Sequence, residues 1–324
     1  MTAGLSAPDN VGDSIGCAPI LYHYPMSPFS EKLRVAMGAS GVLWRSVDVP
    51  AFPPRTDLSR FIGDYRRIPV LQIGAHFFCD TRLAYQALFA GETDPTVLAP
   101  VDEDLRQWAE TEVFFAVISS QRQMAVVRFL TRELGVKGLL RFMRDRMRMM
   151  REASVTVPSR TEAGAVLTRY IAVLSERLVT ESFLSGTTPG YLDFCCYHPL
   201  WMAERVQRGL RMSWSRDVQD WLQRMEALPH SPPVSATESD VEAAIVAGEI
   251  DFTGWSVPSS WTVGEKVIVA PLDYGLDASS GELAAMSDER IVLRRKTSFG
   301  SLVYAHFPQV GFSVTRPDED SGGR

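Results

Sequence analysis

Ser27, Pro28, Phe29 and Ser30 stand where an apolar run, Ile20 to Tyr24, gives way to a helical pattern. A hydroxyl at a helix start can help hold an anion, because free backbone N–H groups and the helix dipole favour negative charge there. The plainer reading of such a serine is a helix cap; it is preferred for Ser30, and the chemical one for Ser27. Tyr22 and Tyr24 are rival hydroxyl donors, although in a strand they share one face and can simply pack against a sheet. Further on, Arg66-Arg67-Ile68-Pro69-Val70-Leu71 sets two guanidiniums before a proline-led strand. Asp80-Thr81 then opens another helix, where free N–H groups suit a carboxylate ligand and Asp80 can equally be the cap. His198, in an apolar helix, reads as a core histidine rather than a base. No spacing typical of a zinc site occurs, and no metal is expected.

The elements that must position these residues read as β-α-β-α-β-β-α. Ile20 to Tyr24 and Trp44 to Val49 are strand-like, and Ser30 to Met37 is a helix ending at Gly38 or Gly41. Val70 to Ile73 and His76 to Cys79 flank Gly74-Ala75, which predicts a tight hairpin, and Arg82 to Phe89 follows as a helix.

This stretch resembles the thioredoxin-like N-terminal domain of glutathione transferases. Ser27-Pro28-Phe29-Ser30 occupies the place of the family's active-site turn, written Cys-Pro-Phe or Cys-Pro-Tyr in the omega class. Ile68-Pro69-Val70-Leu71 is similar to the family's "V/I-P-x-L" segment, whose proline is cis, and Asp80-Thr81 to its Glu-Ser or Asp-Ser pair. The resemblance implies that glutathione is the co-substrate. Ser27 would be the catalytic hydroxyl. Phe29, Ile68, Pro69 and Val70 would line the cysteinyl part, and Asp80 and Thr81 would hold the γ-glutamyl end. Arg66 and Arg67 replace the small residue the family often has before this proline, and either reach the glycine carboxylate or are solvated. Serine in place of cysteine favours thiolate stabilisation over disulfide exchange.

Beyond a linker at Gly91 to Pro100, residues 101–228 are helical in pattern. Phe183-Leu184-Ser185-Gly186 and Pro189-Gly190-Tyr191-Leu192-Asp193 are similar to the family's "F-L-x-G … P-S/T-x-x-D" segment, with Gly190 in place of the capping hydroxyl. Phe114, Phe115, Ile118 and Arg122 are candidates to face the thiol site, and the arginines from Arg141 to Arg151 read as a solvated face. The resemblance covers about Pro19 to Leu228. Residues 239–316 switch to five short strand patterns, which predict a small β-rich, barrel-like domain packed on the helical one. Residues 1–18 and 317–324 read as disordered ends. The expected architecture is therefore an α/β thioredoxin-like domain (19–90), an all-α domain (101–228) and the small β-domain.

The chain has 324 residues, 45% of them hydrophobic, which suffices for sizeable cores. A net charge of −6 argues against nucleic acid as a partner. No apolar run is long enough to span a membrane, and the first twenty residues do not read as a secretory signal. The cysteines, Cys17, Cys79, Cys195 and Cys196, form no C-x-x-C pair, which fits a reducing cytoplasm. The reading is a cytoplasmic enzyme, a candidate homodimer, that joins glutathione to a small electrophile. A glutathione-dependent isomerase or dehalogenase, or a non-catalytic glutathione-binding scaffold, is the alternative.

Overall fold

The computed structural model describes residues 18–90, 101–230, 233–247 and 257–317. The two ends expected to be disordered fall almost wholly outside these residues, as does the 91–100 linker.

The first unit follows the expected order: β1 (Ile20–His23), α1 (Pro28–Ala39), β2 (Arg45–Asp48), α2 (Thr56–Ile62), β3 (Val70–Ile73), β4 (His76–Phe78) and α3 (Thr81–Leu88). β1 pairs parallel with β2 and antiparallel with β3, and β3 turns back into β4 at Gly74, whose φ of 57° suits glycine. The pleat of β1 sorts its side chains between two cores. Leu21 joins Leu33, Met37 and the helical domain's Tyr170, Phe194 and Trp221, whereas Ile20 and Tyr22 join Phe61, Val70 and Phe77 on the other face. Tyr22 donates its hydroxyl to Gln72 Oε1 at 2.9 Å inside that second core.

The helical domain starts with one continuous run, α4 (Glu103–Trp108), a π-helical turn (Ala109–Val113) and α5 (Phe114–Ser120). α6 (Gln123–Glu152) is broken at Gly135, whose φ of 67° is left-handed. α7 (Arg160–Leu178) opens on a capping box between Ser159 and Glu162. α8 (Tyr191–Val206) is the buried central helix expected from its all-round apolar sequence, and α9 (Arg216–Glu226) closes the bundle. Gly190 offers α8 no capping side chain. Asp193 instead gathers the Gly190, Leu184 and Ser185 amides and the Trp221 indole N–H at 2.7–3.1 Å.

The C-terminal region is strand-rich as expected, with β5 (Val234–Ser235), α10 (Glu238–Val246), β6 (Lys266–Pro271), β7 (Ser279–Met286), β8 (Arg290–Lys296), β9 (Leu302–Pro308) and β10 (Phe312–Thr315). These strands do not stand apart as a barrel. β9 pairs parallel with β4, and the ladder runs on as one ten-stranded sheet, β10-β6-β7-β8-β9-β4-β3-β1-β2-β5. The main packing partner also differs from the expectation: Leu283, Leu293, Val303 and Phe307 share a core with Phe61, Val70 and Phe77 of the thioredoxin-like unit. The physical reason is the free edge of β4, whose unpaired backbone groups need a partner strand.

The joint holds two buried histidines. His76 Nδ1 and His306 Nε2 are 2.8 Å apart, and His306 stacks on Phe78 at 4.5 Å. Burial, then the field of Arg290, holds His76 down to about 4; burial, with His76 and Arg290, holds His306 well below its ordinary value. Burial also lowers His23 to about 4 and His198 to about 3, helped by Arg34 and Lys32 respectively. Four of the five histidines are thus neutral in the fold and titrate near 6.5 once unfolded. Their contribution is complete above about pH 6.5 and is lost as pH falls towards 4, at about 1.4 kcal/mol per pH unit for each differential proton. Urea midpoints should therefore drop steeply between pH 7 and pH 5. A flat midpoint across that interval would show that these groups do not drive acid unfolding.

Candidate functional site

Ser27 ends the turn after β1 with extended backbone (φ −74°, ψ 117°) and caps α1, its Oγ accepting from the Ser30 amide at 3.2 Å. That bond uses a lone pair and leaves the hydroxyl proton available to donate. Arg34, one turn further along α1, stitches this turn together. It meets His23 Nδ1 at 3.0 Å, the carbonyls of Tyr24, Pro25 and Ser27 at 3.1–3.5 Å, and the Glu31 carboxylate at 2.9 Å. Sequence reading missed Arg34 because nothing in its spacing marks a guanidinium that folds back over its own helix start. Ser27 is only 1% exposed, and Met26, Ala51, Phe129 and Leu130 form a small apolar cluster beside it.

Behind the turn lies an enclosed polar group that sequence reading also missed. Lys32 is fully buried, with Nζ 2.5 Å from Glu110 Oε1 and 5.0 Å from the Phe29 ring centroid. Glu110 also meets Arg106 at 2.5 Å. Burial pushes its carboxyl up, but Lys32 and Arg106 outweigh this and hold it at about 2. Phe29 touches Phe114 at 4.9 Å and His198 at 4.7 Å, so Phe29 and Phe114 meet across the domain boundary. His198 is bonded through Nδ1 to the Cys195 carbonyl at 2.7 Å and is neutral, which fits its reading as a core residue. Arg106 and Glu110 pair at i,i+4 along one helical run, and Lys32 reaches Glu110 from 78 positions away.

The Ile68–Pro69 bond is cis, and both residues are buried beside the start of β3. Val70 stands within the ladder, opposite Tyr22. Asp80 caps α3, with Oδ1 accepting from the Arg82 and Leu83 amides at 2.8 and 3.4 Å, and Thr81 is 7% exposed in its first turn. α1 and α3 pack side by side, and the charge of Asp80 is felt at Lys32. The fold thus brings the Ser27 and Asp80–Thr81 helix starts and the cis-proline strand to one end of the sheet.

The two arginines before Pro69 are not solvated. Arg66 Nη2 lies 2.7 Å from both oxygens of Asp145 on α6, and Nη1 lies 3.3 Å from Asp277. Arg67 Nη2 bonds to Asp273 and to the Tyr274 carbonyl, and its guanidinium lies 4.2 Å over the Tyr274 ring. Arg67 therefore reaches the C-terminal region, where Tyr274 also meets Phe115 at 6.0 Å. Ile118 is 46% exposed and Arg122 is exposed. Arg141, Arg144, Arg148 and Arg151 face solvent, as the solvated reading requires, while Arg146 turns in to the Ala51 carbonyl at 3.0 Å. Among the described residues no cluster of three or more His, Cys, Asp or Glu could hold a metal, and no helix is long and apolar enough to cross a membrane.

Residues 21–95 match the family model of the glutathione S-transferase N-terminal domain. A glutathione S-transferase-like protein from Pseudomonas syringae is similar in structure at 26% identity, with a TM-score of 0.73; the match covers 93% of this chain and 99% of that one. A glutathione S-transferase from Rhodospirillum rubrum F11 matches at 16% identity and a TM-score of 0.46, over 69% of this chain and 99% of that one. No curated protein matches the chain. Residues 21–95 thus carry a glutathione S-transferase N-terminal domain, and the thioredoxin-like unit, the helical domain and the cis-proline strand follow one another in a glutathione S-transferase-like fold.

Proposed function

We propose that the chain binds glutathione between the Ser27 turn, the Ile68–Pro69 segment and the Asp80–Thr81 helix start, and activates its thiol for attack on a small electrophilic carbon. The observation that carries this reading is the Ser27 hydroxyl, fixed as the cap of α1 with its proton free to donate. Near a helix N-terminus a thiol loses its proton more readily than in water, where its pKa is about 8.5. In this reading Phe29, Ile68, Pro69 and Val70 line the cysteinyl part, Asp80 and Thr81 take the γ-glutamyl end, and Arg67 takes the glycine carboxylate. The buried free thiols Cys79, Cys195 and Cys196 suit a reducing cytoplasm. A glutathione-dependent isomerisation or dehalogenation would use the same activated thiol. A homodimer belongs to this reading as well.

The 1% exposure of Ser27 favours a second reading, a protein that binds glutathione without turnover. One experiment separates the two. Thiolate absorbance of bound glutathione, followed against pH, should show a lowered thiol pKa in the wild type. Ser27→Ala should raise it by about one unit, about 1.4 kcal/mol, with a smaller change in affinity. No lowered pKa in the wild type would leave the binding-only reading. A lowered pKa untouched by Ser27→Ala would move the role to Tyr24, since Tyr22 is engaged with Gln72.

A further inference from the structure

The loop from Leu272 to Ala278, between β6 and β7, places its carboxylates on the two arginines that precede Pro69. Asp273 and the Tyr274 carbonyl share Arg67 Nη2, while Asp277 lies 3.3 Å from Arg66 Nη1. Gly275, at φ 59°, lies so close to the Arg66 stem that a Cβ there would stand 3.1 Å from its Cδ. Ser154, beyond the end of α6, pins the loop's start: its amide donates to the Asp273 carbonyl at 2.7 Å and its hydroxyl to the Leu272 carbonyl at 3.0 Å. Polar contacts thus tie this loop to the thioredoxin-like unit and to the helical domain together.

Its hold on Arg67 can be bettered by a ligand. Only Nη2 is used; the buried Nε has no partner, whereas a free carboxylate can meet a guanidinium through two nitrogens. The Asp273 side chain is 43% exposed, so water and salt weaken its pairing. Arg66 is the firmer post, 7% exposed and tied to both oxygens of Asp145. A cleft of about 300 Å³, lined by Arg55, Asp64, Arg66, Asp277 and Ala278 among others, lies beside the loop's far end.

We infer that Asp273 is an internal competitor for the carboxylate that Arg67 takes from glutathione, so the loop must release Arg67 before the peptide's glycine end can bind. This rests on the glutathione reading proposed above. It makes the C-terminal region a gate on the site of the first domain, with Asp277 on Arg66 as its second contact. No bond is made or broken; one carboxylate replaces another on the same guanidinium.

Calorimetric titration of the full chain tests it. Asp273→Asn should bind glutathione about tenfold more tightly than the wild type. Glutathione ethyl ester, whose glycine carboxylate is blocked, should bind both proteins alike. Asp277→Asn should give a smaller gain for glutathione in the same direction. Unchanged or weakened glutathione binding by Asp273→Asn, or an equal gain for the ester, overturns the inference. If neither protein binds glutathione, hydrogen exchange of the 272–278 amides separates the two ideas. Faster exchange in Asp273→Asn supports the carboxylate latch and overturns its assignment to glutathione; unchanged exchange overturns the latch itself.

Discussion

Asp193→Ala should lower stability by about 4 kcal/mol or more, an exceptional loss for one side chain. The carboxylate is fully buried and accepts from three backbone amides and the Trp221 indole. Hydrogen bonds to a charged group contribute about 1.5–3 kcal/mol each, and a buried donor left without a partner costs about 1–3 kcal/mol. Alanine would strand four donors at once, at the start of the central helix, in the loop before it and on Trp221 of α9. Asp193→Asn keeps the shape and part of the acceptor capacity, so its loss should be less than half as large. Urea unfolding of both variants checks this. Equal losses for the two would mean that side-chain volume, not the gathered donors, is what Asp193 supplies.

Glu110→Ala should cost about 3–5 kcal/mol, because it leaves the Lys32 ammonium buried without its partner carboxylate. The double change Lys32→Met with Glu110→Leu removes both charges and should recover most of that loss, since a buried ion pair often stabilises no more than apolar side chains of similar volume. A double-mutant cycle by denaturant titration gives the coupling. If the double variant is as unstable as Glu110→Ala alone, the apolar surroundings of Phe29, Phe114 and Cys195 cannot accept the replacement, and the ion pair is not the cause of the loss.

Much of the first domain was legible because its signals are local. Apolar runs of strand length, Gly74 in a tight turn, serine and aspartate before helices, and the proline at Pro69 each act within a few residues. The capping aspartate Asp193 was legible too, although its Trp221 partner was not. What escaped depends on groups far apart in sequence. Lys32 and Glu110 each look like solvated charges until α1 packs against the helical domain. Arg67 looks free to reach a ligand until the β6–β7 loop brings Asp273, 206 positions away, onto it. The C-terminal strands were readable one by one, but strand periodicity shows which faces are apolar and not which edge a strand will join.

That joint has a consequence for synthesis. His76 and Tyr304, which face each other where β4 meets β9, are 228 positions apart. At about 5–20 residues per second, a ribosome needs on the order of ten to fifty seconds to make the chain between them. Throughout that interval, while the helical domain is itself being made, β4 has no strand to pair with on its free edge. A nascent chain in this state presents an apolar, hydrogen-bonding edge to any other extended segment, including the β4 of a neighbouring chain on the same message. The last quarter of the protein therefore acts as a late seal, and a messenger truncated before Leu302 yields chains that keep that edge open for good.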